Sequence, residues 1–324
     1  QLALYVSLFP QLIAGPIVRY ADVEDDLDKR KHSLNEFAYG VERFIFGLAK
    51  KVLIANQVAF YVDKIFAIPD QELSTHLVWL AIIGYAVQIY FDFSAYSDMA
   101  IGLGRMFGFR FMENFNHPYT AISIQDFWRR WHISLSTWFR DYLYIPLGGS
   151  RHGTFNTYRN LLIVFFLTGL WHGASYNFII WGMLHGSFLM LERTGFNELL
   201  NRTPRFFRSA YVIIVVLIGW VFFRASDLPQ AFSFLTKMFS YVHNPAADAH
   251  LVFLVDANFI IVLLAGILFS VPVRKFIFQD CFYEKPTAFD AKRMVYTIVI
   301  VATFMISIIY LAAGTYNPFI YFRF

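Results

Sequence analysis

The chain has 324 residues, of which 57% are hydrophobic, 20% aromatic and 15% charged; an ordinary soluble domain carries about 25% charged residues. With a mean hydropathy of +0.48, a soluble core could not hide that much apolar surface, and the aromatic content excludes intrinsic disorder. A disulfide framework is excluded because Cys281 is the only cysteine, and the +4 net charge comes from basic residues set between apolar segments rather than pooled on one face, which is not a nucleic-acid footprint. What remains is a polytopic membrane protein with the lipid bilayer as its main solvent.

Gln1–Val18 is apolar but broken by Pro10, Gly15 and Pro16, with neither a charged leader nor a cleavage site, so it does not read as a signal peptide. A chain that starts this way is expected to be part of a longer protein. Tyr39–Phe60 is helical by pattern yet carries Glu42, Arg43, Lys50 and Lys51, side chains that a membrane tolerates only when they face protein or water. Leu77–Ser94 is a span candidate containing Gln88 and Asp92. Asp92 and Asp98 flank Ser94 and Ser97; this group could bind a cation or lead protons, or simply cap helix ends and bond between helices.

Plain span candidates follow at Leu161–Ile180, Ala210–Phe223, Phe259–Val271 and Val295–Ala313. Basic connections lie between them at 105–159, 192–208 and 272–293, and by the positive-inside rule all three are cytoplasmic. Arg159 and Arg193 are then on the same side, so residues 160–191 must cross twice or enter and return. Gly169, Gly173, Gly182 and Gly186 interrupt this region, and broken helices at membrane depth are tolerated where they line a protein-buried cavity. The spans at 210–223 and 259–271 form one hairpin with Ala225–His250 outside.

Two strings carry polar residues in unexpected places. Gly169–Asn177 holds His172 beside Gly173 in the most apolar part of the chain, and an intramembrane ionisable residue is a functional candidate. Ile124–Tyr142, read as one helix, places Trp128, Trp131, Leu135 and Trp138 on one face and pairs His132 with Ser136 at i, i+4. Asp126 and Arg129 are positioned for an ion pair. Nucleophile-elbow, phosphate-loop, dinucleotide and zinc-protease motifs are absent from the sequence. His117, His132, His172 and His185 lack the close spacing of a zinc site, so no metal is expected.

The chain resembles the membrane-bound O-acyltransferase (MBOAT) family, and within it the bacterial polysaccharide-acetylating branch. The resemblance rests on Phe9–Ile17, Gln88–Asp98, Phe127–Gly149, Leu170–Gly186 and Phe319–Phe324. It implies an all-α, polytopic integral membrane helical bundle with broken and re-entrant helices around a central polar funnel. Residues 1–324 form a single domain in that reading, lacking N-terminal helices of the full-length family. It implies His172, of the Trp-His-Gly string, as the catalytic residue and His132 as a second polar site residue. His185 matches a motif of the branch, and Asn177, Ser136 and Asp126 complete the set as supporting residues.

The implied reaction moves an acetyl group from a thioester donor, acetyl-CoA as co-substrate with no bound cofactor, across a bacterial inner membrane. The acetyl group goes to an extracellular, alginate-like polysaccharide, an indirect acceptor reached through extracytoplasmic acetyltransferase-type partner proteins. Transfer of D-alanyl or another acyl group to an envelope polymer is the alternative acyl chemistry. A polytopic transporter, with Asp92 and Asp98 as ion ligands, and a non-catalytic scaffold are the alternatives of other classes.

Overall fold

The computed structural model describes residues 1–12, 15–273 and 291–314, without the side chains of 246, 248, 252 and 291–293. Cys281, most of the 272–293 connection, Ile13 and Ala14 of the first motif, and the closing Phe319–Phe324 motif lie outside the described residues. The described chain is helical, with no strand among the described residues. In order, its main helices are α1 (Tyr20–Lys29), α2 (Leu34–Phe66), α3 (Thr75–Met106), α4 (Ile124–Trp128), α5 (Ile133–Phe139), α6 (Gly153–His172), α7 (Tyr176–Leu191), α8 (Arg205–Arg224), α9 (Leu228–Phe239), α10 (Pro245–Leu254), α11 (Ala257–Phe269) and α12 (Ala291–Ala313). Four helices among the described residues are long and apolar enough to cross a membrane: α2, α3, α8 and the Met294–Ala313 part of α12.

Two compact units emerge. The first comprises residues 1–57, 87–115 and, of the described remainder, 261–273 and 291–314. Within it the polar residues of α2 find their partners on α3. Lys51 Nζ lies 2.6 Å from Asp92, Lys50 Nζ 2.6 Å from Asp98, and Arg43 bridges Asp98 and Glu113 at 2.6 and 2.5 Å. A π-helical stretch at Lys50–Ala55 lies at this point, and such bulges alter which residues face a neighbouring helix. Asp92 and Asp98 are therefore neither helix caps nor bare ion ligands; they bond between helices and neutralise three half-buried cations of the preceding helix. The N-terminal segment packs a small core of Leu8, Val18, Val23 and Leu27 on Ile101, Phe109 and Phe111. Along α12, Val295, Ile298, Val301, Met305 and Ile309 are exposed, which suits a helix whose outer face meets lipid chains.

The second unit comprises 58–86 and 116–260, and it holds all the candidate site residues. The apolar run at 161–180 is not one span. α6 ends at His172, Gly173–Ser175 make the turn, and α7 returns antiparallel, so residues 160–191 form a helical hairpin. Ser175 caps the new helix, its Oγ accepting from Asn177 N–H at 3.3 Å. Gly169, Gly182 and Gly186 do not break these helices; they let them touch. A Cβ at Gly182 would strike the Phe165 carbonyl oxygen, one at Gly169 the Phe178 carbonyl oxygen, and one at Gly186 would stand 3.1 Å from Phe165 Cβ. Small residues at a helix contact are how membrane helices approach closely.

One end of this unit is tied by polar contacts among widely separated segments. Arg224 pairs with Asp63 at 2.8 Å, Thr75 N–H donates to the Val242 carbonyl at 3.1 Å, and Tyr61 Oη donates to Asp256. The 66–75 turn and the 225–256 segment, which contains α9 and α10, thus belong to the same end.

Candidate active site

The site is assembled from the α6–α7 turn, the arm 116–139 and the C-terminal half of α8. The 124–142 string is not one helix. α4 stops at Trp128, the chain turns through Arg129–Trp131, and His132 adopts a left-handed backbone with φ 44° before α5 begins. The i, i+4 geometry read for His132 and Ser136 is therefore lost. His132 is instead the N-cap residue of α5, and its carbonyl accepts from Ser136 N–H at 3.0 Å. The imidazole turns to Ser134, with Nδ1 and Oγ 3.4 Å apart. Trp128, Trp131 and Leu135 are buried, whereas Trp138 is 38% exposed and not part of one continuous stripe.

A positive φ is uncommon outside glycine, and such strain collects at functional sites. Among the described residues the two non-glycine cases are His117 and His132, the residues that bracket the arm. Asn116 N–H donates to the Arg130 carbonyl at 2.9 Å and closes it. Asp126 accepts from Ile122 N–H at 3.2 Å and from Arg130 Nε at 2.8 Å. Its partner is Arg130 rather than Arg129, and its work is to hold the arm's shape.

His172, half-buried at the end of α6, sits in an aromatic cage. Its ring centroid is 4.9 Å from Trp171, 4.9 Å from Trp181, 5.0 Å from Phe223 and 6.4 Å from Phe178. Trp171 also meets His132, at 6.4 Å, so one indole is shared by the two histidines. Burial pushes the His132 pKa well below the usual imidazole value, and the neighbouring His172 adds to the fall. His132 is therefore neutral at pH 7. Asn177 is buried and its Nδ2 donates to the Ala225 carbonyl at 2.8 Å. It fastens the start of α7 to the end of α8, which carries Phe223, and is a brace of the cage. Ser136 is half-buried on α5, and the serine beside the His132 ring is Ser134.

His185 is fully buried one turn below Trp181, with ring centroids 5.3 Å from Trp181, 5.2 Å from Trp128 and 6.2 Å from Phe127. The three histidines thus occupy one aromatic cluster, His132 joined to His172 through Trp171 and His172 to His185 through Trp181. Trp171, Trp181, Phe178 and Phe223 are cage residues that the sequence analysis did not name among the site residues. The Trp residues flanking His172 and preceding His185 by one helical turn were the available signal.

At the other end of α7 stands Glu192, which the sequence reading did not single out. It is buried, yet its carboxylate accepts from the N–H groups of Ile124 and Gln125, the first two residues of α4, and from Tyr211 Oη. Burial pushes its pKa up, against the pull of those two N–H groups. A cavity of about 250 Å³ lies beside it, lined by Gln125, Leu189, Glu192, Arg193 and Asn197 among others. Because hydrogen bonds to a charged acceptor each contribute about 1.5–3 kcal/mol, Glu192→Ala is expected to lower the melting temperature markedly. Glu192→Gln, which keeps one acceptor oxygen, should fall between the two. Equal melting temperatures for all three proteins would show that this tie carries no load.

Comparison with known proteins agrees with the residues that carried the resemblance. The family model for membrane-bound O-acyltransferases matches residues 1–226. The chain is 42% identical to the probable alginate O-acetylase AlgI of Azotobacter vinelandii, over 99% of this chain and 69% of that protein. It is 44% identical to the probable alginate O-acetylase AlgI of Pseudomonas putida, over 99% of this chain and 68% of that protein. To the peptidoglycan O-acetyltransferase of Helicobacter pylori it is 38% identical, over 99% of this chain and 64% of that protein. With its apolar helices, its α6–α7 return and a family match running from the first residue through α8, this chain belongs to the membrane-bound O-acyltransferase family.

Proposed function

We propose that the protein transfers an acetyl group from acetyl-CoA to a hydroxyl for O-acetylation of an extracellular polysaccharide, with His172 as general base and His132 as the residue that positions the reacting groups. The observation that carries the assignment is the shared Trp171, which sets both imidazoles against one indole inside an aromatic cage. His172 takes the proton of the attacking hydroxyl as its oxygen bonds to the acyl carbon. The carbon–sulfur bond breaks, the sulfur leaves as thiolate, and the proton passes from His172 to that sulfur. A covalent route through Ser136 is not favoured, because the serine next to the His132 ring is Ser134. Relatives named for O-acetylation align along 99% of the chain, which supports acetyl over D-alanyl as the acyl group. The test is thioester consumption by the purified protein with candidate hydroxyl acceptors, the extracytoplasmic partner proteins as well as the polysaccharide. No acceptor-dependent release of free thiol would overturn the proposal.

The membrane in this reading is a bacterial inner membrane, and extracytoplasmic acetyltransferase-type proteins complete delivery to the polymer. The basic connections at 192–208 and 272–293 and the ends of 105–159 face the cytoplasm, while the arm within 105–159 reaches inward to bring His132 to Trp171. His172 then lies toward the outer side, since its end of α6 is braced to Ala225 at the start of the 225–250 segment, while Glu192 lies toward the cytoplasm. Single cysteines placed near Arg202 and near Ser240, on a Cys281→Ser background, should react with an impermeant external reagent only at the second position. Labelling near Arg202 in intact cells would refute the orientation.

A further inference from the structure

The arm that carries His132 runs antiparallel along α7, and the contacts between them pair in order. Ile124 and Gln125 meet Glu192, Phe127 and Trp128 meet His185, and Trp128 also meets Trp181. His132 then reaches Trp171, beside His172, which itself rests on Trp181. Glu192 continues the helical backbone of α7. Trp181, His185 and Glu192 stand at i, i+4 and i+11, so they share one face of a helix of about 3.6 residues per turn. At about 1.5 Å per residue, Trp181 and Glu192 are roughly 16 Å apart along the axis. Where α4 sits along this face therefore decides where His132 stands relative to His172.

The ring contacts fix that register loosely. Aromatic pairs hold over centroid separations of about 4.5–7 Å, which tolerates a slide of the arm. Hydrogen bonds are stricter, weakening away from about 2.9 Å and a near-straight angle. Most of the arm's polar ties close it on itself: Asn116 to Arg130, Asp126 to Arg130, and Ser123 Oγ to Asp126 N–H. Tyr119 anchors its beginning, the hydroxyl donating to the Ala86 carbonyl on α3 and accepting from Trp220 Nε1 on α8. Beyond that anchor, the Glu192 carboxylate fastens α4 to α7. It accepts from the N–H groups of Ile124 and Gln125, the second at 3.0 Å, and from Tyr211 Oη of α8 at 3.3 Å. Glu192 is only 5% exposed, so water does not compete for those two N–H groups.

We propose that Glu192 is a positioning residue for acyl transfer: its carboxylate sets the register of the arm on α7, and through it the placement of His132 against Trp171 and His172. Glu192 acts through backbone seven and eight residues before His132, not by touching the reacting atoms. Its effect on turnover rests on the acetyl-transfer reading; the register itself does not. An interaction that places reacting groups lowers kcat and leaves KM little changed, whereas a merely structural tie lowers the melting temperature and spares kcat per folded molecule.

The test uses the full chain in lipid nanodiscs on a Cys281→Ser background. Arg129 in the arm and Ala174 in the α6–α7 turn, both exposed, are changed to cysteine and spin-labelled, and their separation is read by electron paramagnetic resonance. Kinetics are read on unlabelled protein. Glu192→Ala should shift or broaden the separation and lower kcat per folded molecule by about tenfold or more, with KM for acetyl-CoA within about twofold. Glu192→Gln, which keeps one acceptor oxygen, should lie between it and the wild type in both readings. Asp98→Asn, a destabilising change in the other compact unit, should lower the melting temperature and leave separation and kcat unchanged. If Glu192→Ala does not fold, Glu192→Gln decides by the same two readings. A wild-type separation overturns the proposal, and so does a moved separation with wild-type kcat. Should the protein show no thioester turnover, the function proposed above fails, and the label separation by itself decides the register.

Discussion

His172→Ala is expected to abolish nearly all acyl transfer while the protein still inserts and folds. Positioned general-base catalysis contributes about 10²–10⁴-fold, and among the described residues the rings around His172 are Trp171, Trp181, Phe178 and Phe223, none of which can take its place as a base. His132→Ala should also be severely impaired, for a different reason. Its left-handed backbone turns the arm toward Trp171, and misplacement of reacting groups by about 1 Å can cost on the order of 10²-fold. His185→Ala should be milder than either. Activity per folded molecule and melting temperature must be read on the same detergent-solubilised preparations. If all three substitutions lowered yield and melting temperature together, with turnover per folded molecule intact, the histidines would be structural. A well-folded His172→Ala protein with wild-type turnover would remove the proposed base outright.

Asp98→Ala is the substitution expected to cost most stability. The carboxylate lies between Arg43 and Lys50 with only 12% of its side chain exposed, and Arg43 is 17% exposed. Removing one member of a buried ion pair typically costs about 3–5 kcal/mol, because the partner's charge stays buried and uncompensated. Glu113 remains to Arg43, but its side chain is 53% exposed and so offers a more screened charge; Lys50 loses its 2.6 Å partner altogether. A large fall in melting temperature and in membrane yield should follow, with Asp98→Asn less affected. Replacing all three by apolar residues, Arg43→Met, Lys50→Met and Asp98→Leu, should recover much of the loss, since no charge is then left to desolvate. An Asp98→Ala protein that melts with the wild type would mean that these charges reach water. The same network bears on the transporter reading: carboxylates engaged by Lys50, Lys51 and Arg43 are poorly placed to ligate a passing ion.

The helical membrane class is legible in the sequence, because long, continuously apolar runs satisfy their backbone within one segment as helices, whereas the strands of a membrane barrel alternate apolar and polar residues. The basic residues Arg159 and Arg193 pointed to a return within 160–191, which the α6–α7 hairpin makes, and His132, His172 and His185 stand out as polar residues in apolar strings. Tertiary structure decided what periodicity could not. The break at His132 lies inside a string whose Trp and Leu spacing reads as unbroken helix; the left-handed turn is imposed by long-range ties, Asn116 to Arg130 and Glu192 to the first turn of α4. The partners of Asp92 and Asp98 could not be chosen in the sequence, where capping, cation binding and inter-helix bonding stayed open, because their cations lie more than 40 residues earlier, on another helix. The glycines of α6 and α7 signal disruption in one dimension and close contact in three, since a missing Cβ lowers helix propensity but also lets two backbones touch.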